Sequence, residues 1–219
     1  MGQRPTATVR RAARSRSAAP AEPRQIQASI FATALGWIGV AGSGTTVVAL
    51  TIGHASADEV RSALAAQISI PGRATSDSHP GNRDSLVERD WYPELRRALE
   101  RYAQGQFVDL RSFKIDLGRT TPYRQKVLET ARRIPYGKTM SYGELAARSG
   151  KPRAARAVGS AMASNRIALL IPCHRVVAAG GAIGGFSCRT GVELKQRLLE
   201  MEASAARGKS HGTGPAAPL

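Results

Sequence analysis

The chain has 219 residues, 42% of them hydrophobic, enough to bury the core of one large unit or two small ones, and no apolar run nears the roughly 20 residues that would cross a bilayer. Lys and Arg outnumber Asp and Glu by 32 to 16; residues 26–118 carry 9 basic and 10 acidic side chains, and residues 119–200 carry 15 and 4, so a polyanion is expected to bind the second half. Two cysteines, Cys173 and Cys188, are too few for a disulfide-stapled secreted domain or a cysteine-rich zinc site and suit a reducing, cytoplasmic setting.

Residues 1–25 are rich in Arg, Ala and Ser with only Glu22 acidic; lacking an apolar stretch, they are no secretory signal and read as a disordered basic extension, with an organelle-type targeting sequence as the alternative. Ala28 to Gly53 reads as strands: Trp37, Ile38 and Val40 precede a Gly42-Ser43-Gly44 turn, and β-branched residues from Val47 to Ile52 follow. Ser56 with Glu59 forms a capping box that opens a helix ending near Gln67. Residues 71–85 read as a loop, and a second helix is expected from Trp91 to Ala103, with Leu95, Leu99 and Tyr102 on one face and Gly105 as its stop. Pro122 opens a helix carrying Val127, Ala131 and Ile134, broken at Pro135-Tyr136-Gly137. Ser141 with Glu144 caps a short helix through Ser149; after Gly150-Lys151-Pro152 another runs from Arg153 to Ala163, and a last one starts near Val192 with Leu194, Leu198 and Met201 on a stripe.

The two short helices have the layout of a helix-turn-helix. The second is dominated by small residues, among them Ala154, Ala155, Ala157, Gly159 and Ser160, which would let its backbone approach either a neighbouring helix or a narrow groove; Arg153 and Arg156 sit at its start. The sharpest feature is Ile171-Pro172-Cys173-His174-Arg175-Val176-Val177. His174 and Arg175 beside the cysteine are expected to lower its pKa from about 8.5 towards neutrality, favouring a nucleophilic thiolate.

Several segments in fixed order carry a resemblance: Arg132-Arg133-Ile134-Pro135-Tyr136-Gly137, Ser141-Tyr142-Gly143-Glu144, Arg153-Ala154-Ala155-Arg156-Ala157-Val158-Gly159, the Pro-Cys-His-Arg box, Gly185-Phe186-Ser187, and Lys195 through Glu202. Together the stretch from Thr121 to Glu202 resembles the catalytic domain of the O6-alkylguanine-DNA alkyltransferases, the methylated-DNA–protein-cysteine methyltransferases. Residues 28–110 resemble the family's N-terminal domain more loosely. The fold implied is an α/β N-terminal domain over 26–118, a small antiparallel sheet with helices. A mainly α-helical domain with the helix-turn-helix follows over 119–206, and 207–219 is a disordered tail.

The resemblance implies single-turnover transfer of an alkyl group from O6-alkylguanine, with O4-methylthymine as a second candidate substrate, to Cys173. His174 would act through a water and be oriented by Glu202, Tyr142 would donate to the leaving guanine, and Asn165 would brace the turn before the site. The target nucleotide would be flipped out of the duplex. Arg156 would fill the gap it leaves, with Arg153, Ala154, Ala157 and Gly159 along the minor groove. Met162, Val176, Phe186 and Ser187 would line the base pocket. A thioether offers water no carbonyl to attack, so each molecule would act once, with no cofactor and no metal. The partner implied is double-stranded DNA containing alkylated bases, bound by a monomer, in the cytoplasm or on a bacterial nucleoid.

Two departures stand out. Arg166 and Ala168 occupy places where the family often has proline, expected to relax the pocket rim, and Cys188 replaces a glycine. A non-catalytic alkyltransferase-like sensor of alkylated DNA is the alternative; such proteins characteristically replace the reactive cysteine, whereas Cys173, Tyr142, Arg156 and Glu202 are all present. A thiol hydrolase, suggested by the Cys-His pair alone, would have no use for the basic second half.

Overall fold

The computed structural model describes residues 25–69, 86–185 and 191–210. The loop read at 71–85, the extension before residue 25, the tail beyond 210, and Phe186, Ser187 and Cys188 lie outside the described residues.

The first half is built on three antiparallel strands, β1 (Gln27–Thr33), β2 (Gly36–Ser43) and β3 (Thr46–His54). The β2–β3 turn needs Gly44, whose φ of 57° lies in the left-handed region. Alternate residues then face opposite sides. Ala28, Ala41 and Ala49 meet Val60 and Leu64 of α1 (Ala57–Ile68), while Phe31, Ile38, Val40, Leu50 and Ile52 turn to the main core. Ser56 caps α1 as expected, but Glu59 returns its bond to the Ala55 N–H rather than to Ser56.

The sheet is mixed rather than purely antiparallel. Two-residue strands β4 (Val87–Glu88) and β5 (Lys114–Ile115) add in parallel to β1 and β3 at its two ends, giving the order β4-β1-β2-β3-β5. Pairs this short leave no periodicity to read. Between them lies α2 (Pro93–Ala103), which begins two residues later than the periodicity suggests. Pro93 takes the first helical turn, and Trp91 instead sends its indole N–H to the Val40 carbonyl at 3.4 Å.

In the second half, α3 (Pro122–Arg132) is capped by Thr121, and α4 (Tyr142–Arg148) by a complete Ser141/Glu144 capping box. The next helix, α5 (Ala155–Ala163), starts after Arg153: Arg153 belongs to the preceding turn, with Ala154 at the cap in a non-helical conformation. The long α6 (Gly191–Ser210) continues past residue 207, where the disordered tail was expected to begin; no proline interrupts its hydrogen-bond ladder. Lys195, Leu198 and Glu202 recur at spacings of three and four, so one face of α6 carries all three into the interior. No helix among the described residues is long and apolar enough to cross a membrane.

Two features position the box around Cys173. A short parallel pair, β6 (Met140–Ser141) with β7 (Val176–Val177), ties the start of α4 to the chain just after the cysteine. Upstream, the stretch after α5 is laid against β3: Leu50 N–H donates to Arg166 O at 2.7 Å and Ala168 N–H to Leu50 O at 3.1 Å. The rim is therefore tied down rather than relaxed. A proline at 168 would have no N–H to give, and the Arg166 guanidinium reaches the Gln67 carbonyl at the end of α1. One hydrophobic cluster runs from Phe31 and Leu99 through Val127 and Leu145 to Leu198, joining both halves.

Candidate active site

Cys173, His174 and Arg175 form a single 3-10 turn, and all three are buried. The tight turn sends neighbouring side chains in different directions. Cys173 Sγ accepts from Asn165 Nδ2 at 3.2 Å; the same amide donates to Ile171 O at 2.9 Å, and its Oδ1 accepts from Ile167 N–H at 3.1 Å. Those bonds fix which end of the amide faces sulfur and tie Asn165 to residues 167, 171 and 173. Leu169, within it, has a φ of 63°, a left-handed conformation unusual for a branched side chain.

His174 and Arg175 do not face the sulfur; both turn to Glu202. His174 Nε2 lies 2.9 Å from Glu202 Oε1, and Arg175 grips both carboxylate oxygens, with Nη2–Oε1 at 2.8 Å and Nε–Oε2 at 2.9 Å. Gly137 N–H donates to Oε2 at 3.0 Å. Gly137 has a φ of 70°, and a Cβ there would sit 2.9 Å from Ala206, so only glycine lets this chain segment lie against α6. The Tyr102 hydroxyl, from α2, donates to Oε1 at 2.5 Å. His174 Nδ1 is buried and has no protein hydrogen-bond partner among the described residues.

The electrostatics follow from this division. Burial pushes the Cys173 thiol up; the Asn165 amide and the Lys195 charge pull the other way without overturning it. A thiolate poised near neutrality, expected from the flanking residues, is therefore not the resting form, because Arg175 spends its charge on Glu202. Burial also lowers His174, leaving it a neutral imidazole, although Glu202 pulls upward. Burial alone would raise Glu202, but the hydrogen bonds from His174 and Arg175 and the Arg175 charge outweigh it and hold the carboxyl well below the usual range. The site rests as thiol, neutral imidazole and carboxylate. Such a set can pass a proton from sulfur to imidazole when an electrophile arrives.

Tyr142, half-buried at the start of α4, lies near the sulfur, which contributes to raising its pKa after burial. Its ring packs on Gly184 and its hydroxyl reaches Gly185 O at 3.5 Å. Met162 and Val176 are buried beside the turn. Val176 N–H is taken by Cys173 O, and its carbonyl accepts from Lys195 Nζ at 2.6 Å. On α5 the buried side chains are Val158, Ala161 and Met162, whereas Arg156 and Ala157 are exposed, as is Arg153 before the helix; Ala154 and Gly159 are partly exposed. Ala161 is packed inside, but Ala157 and Ser160 face outward, so packing inside the protein does not account for those two. A Cβ at Gly159 would meet nothing within 4 Å. Arg124 of α3 holds the far end of α5, donating to Ser164 Oγ at 2.5 Å and Ser164 O at 2.8 Å.

Three contributors escaped the sequence reading. Tyr102 counted only as a core-facing residue of α2, although a buried phenol needs a hydrogen-bond partner. Adjacency in sequence points Arg175 to the sulfur, whereas the fold gives it to Glu202. Lys195, fully buried and brought down to about 8 by burial, lies 5.8 Å above the Tyr142 ring. A lysine on the apolar stripe of α6 was the available signal.

Comparison with known proteins follows the same residues. Residues 122–204 match the family described as 6-O-methylguanine DNA methyltransferase, DNA binding domain. A methylated-DNA–protein-cysteine methyltransferase of Methanosarcina acetivorans is 41% identical over 123 residues, covering 55% of this chain and 76% of that one. One from Kluyveromyces lactis is 49% identical over 123 residues, covering 55% of this chain and 64% of that one. Among solved structures, Mycobacterium tuberculosis OGT in complex with DNA aligns with a TM-score of 0.60 at 29% identity, over 82% of this chain and 94% of that one. The O6-methylguanine-DNA methyltransferase of Pyrococcus kodakaraensis gives 0.60 and 29%, over 80% and 98%. Sequence and fold agree: the chain belongs to the methylated-DNA–protein-cysteine methyltransferase family.

Proposed function

We propose that the protein repairs DNA by moving the alkyl group of O6-alkylguanine onto Sγ of Cys173, once per molecule. The observation that carries this reading is the buried His174, next to Cys173 in the same turn, with Nε2 2.9 Å from the Glu202 carboxylate. Nε2–H donates to Glu202, so the lone pair is on Nδ1, which takes the thiol proton through a water. Sulfur attacks the saturated carbon, the S–C bond forms as the C–O6 bond breaks, and the electron pair goes to guanine. Tyr142 donates a hydrogen bond there as charge builds. The thioether product has no leaving group for water to displace, so the acceptor is spent.

For DNA, α4, the turn at 149–154 and α5 act as a helix-turn-helix whose exposed small residues allow close approach in the minor groove. Arg156 takes the space of the flipped nucleotide; Met162 and Val176 line the pocket for the base. The protein works as a monomer on double-stranded DNA containing alkylated bases, in the cytoplasm or on the nucleoid. Within it, 26–118 supports and 119–206 carries the chemistry.

Incubation with an O6-methylguanine duplex should add one methyl to the intact protein, and peptide mapping should place it on Cys173. Binding without any mass gain overturns the enzyme in favour of a sensor. The groove-facing role of α5 predicts a separation of effects at Gly159. Gly159→Ala should stabilise the protein by about 0.5–1 kcal/mol, because helix propensity improves in open space. Gly159→Trp should melt near the wild-type temperature but bind duplex at least about tenfold more weakly, read by fluorescence anisotropy.

A further inference from the structure

Tyr102 precedes His174 by 72 residues and Glu202 by 100, yet its hydroxyl lies inside their hydrogen-bond network. The ring is fully buried on the Leu95–Leu99 stripe of α2, edge-on to Tyr136 at 6.0 Å between centroids. Its O–H donates to Glu202 Oε1 at 2.5 Å, and its oxygen lies 3.3 Å from His174 Nε2. Burial and the neighbouring Glu202 charge keep that phenol protonated.

The proton count on this network decides the form of the imidazole. Glu202 is a carboxylate and can only accept. The Tyr102 proton is committed to Oε1, so its oxygen offers His174 a lone pair and no donor. Both neighbours of Nε2 are then acceptors, and Nε2 must carry the ring proton. A water in place of the phenol could rotate and donate to Nε2, which would admit the other tautomer. We propose that Tyr102 is a positioning residue for alkyl transfer: by giving its proton to Glu202 it holds His174 in the tautomer whose Nδ1 receives the Cys173 proton. The N-terminal half thereby contributes a group to the chemistry. This rests on the reading of Cys173 as the acceptor.

The charged and titratable groups around His174 come from four segments. They are Glu202 and Lys195 of α6, Arg175 and Cys173 of its own turn, Tyr102 of α2, and Tyr136 after α3. Tyr102→Phe keeps the ring and removes one donor from Glu202. The carboxylate, less well satisfied, then stabilises imidazolium better, so His174 should protonate at a higher pH.

The test is single-turnover transfer from an O6-methylguanine duplex to the full-length protein, followed by intact mass across a pH series. Tyr102→Phe should slow transfer roughly tenfold near neutral pH, the scale of one hydrogen bond to a charged group, with duplex affinity unchanged. The acid limb of its rate profile should move upward by roughly half a unit or more, which a loss of packing would not produce. A wild-type rate and limb in Tyr102→Phe overturn the proposal. Should that variant not fold, nitrogen-15 spectra of His174 in the wild-type protein decide: the Nε2–H form supports it, and the Nδ1–H form overturns it. If Cys173→Ser still transfers, the acceptor assignment has failed instead, and the two failures are told apart.

Discussion

Cys173→Ser should fold and bind duplex DNA like the wild type but take up no alkyl group, with transfer slowed by roughly a millionfold, the scale of removing a nucleophile from a positioned set. Size is not the reason, since serine is the smaller and the site is already packed. Displacement at a saturated carbon needs a polarisable attacking atom that gives up its proton readily. A thiol pushed up by burial is still far more acidic than an alcohol, and His174, itself lowered by burial, is too weak a base to ionise serine. The Asn165 amide would keep a partner in the serine oxygen, so the fold loses little. Digestion of the treated duplex and quantification of remaining O6-methylguanine checks this. A serine variant that clears the lesion at the wild-type rate would falsify the assignment.

Glu202→Gln should damage both the chemistry and the fold. The carboxylate receives Tyr102, His174, Gly137 and a two-point grip from Arg175 with no exposure to solvent. The neutral amide leaves Arg175 buried without its counter-charge, which should cost about 3–5 kcal/mol in urea unfolding. Its NH2 group can also donate to His174, admitting the unproductive tautomer, so transfer should fall by about 10²–10⁴. The pH dependence separates charge from shape. Glu202 ionises well below its ordinary value of 4.5 in the folded state, so its stabilisation is fully present above that value and is lost as pH falls towards the folded one. Wild-type urea midpoints should therefore drop between about pH 5 and about pH 3 more steeply than those of the glutamine variant. Equal slopes would mean that another carboxylate governs acid stability.

What the sequence revealed, and what it hid, divides by the range of the interaction. The capping box at Ser141 and Glu144 and the proline start at Pro122 are local and appear where the residues place them. The alternation of β1 to β3 is local too, and the sheet core follows it. The start of α5 is not legible in the same way, because Arg153 is a good helix former whose conformation is set by the turn before it. The thiolate expectation failed for a related reason: neighbours in sequence diverge in a 3-10 turn, and Arg175 found its partner 27 residues away. Tyr102 was out of reach, because nothing within α2 indicates a partner 100 residues distant. The order of the motifs pointed to the family, but the protonation of the site came only from three dimensions.

The pairing of Leu50 with residues 166–168 has a consequence for solubility. At nine residues β3 is the longest strand described, mostly buried, and rich in Val, Leu and Ile. With a bare edge, such a strand is a template on which other molecules of the same chain can stack. Here β5 covers one stretch of that edge and the approach to the cysteine covers the next. The chain guards its most sticky ribbon with the same stretch that frames its reactive sulfur, so damage that prises this stretch loose invites precipitation as well as inactivity.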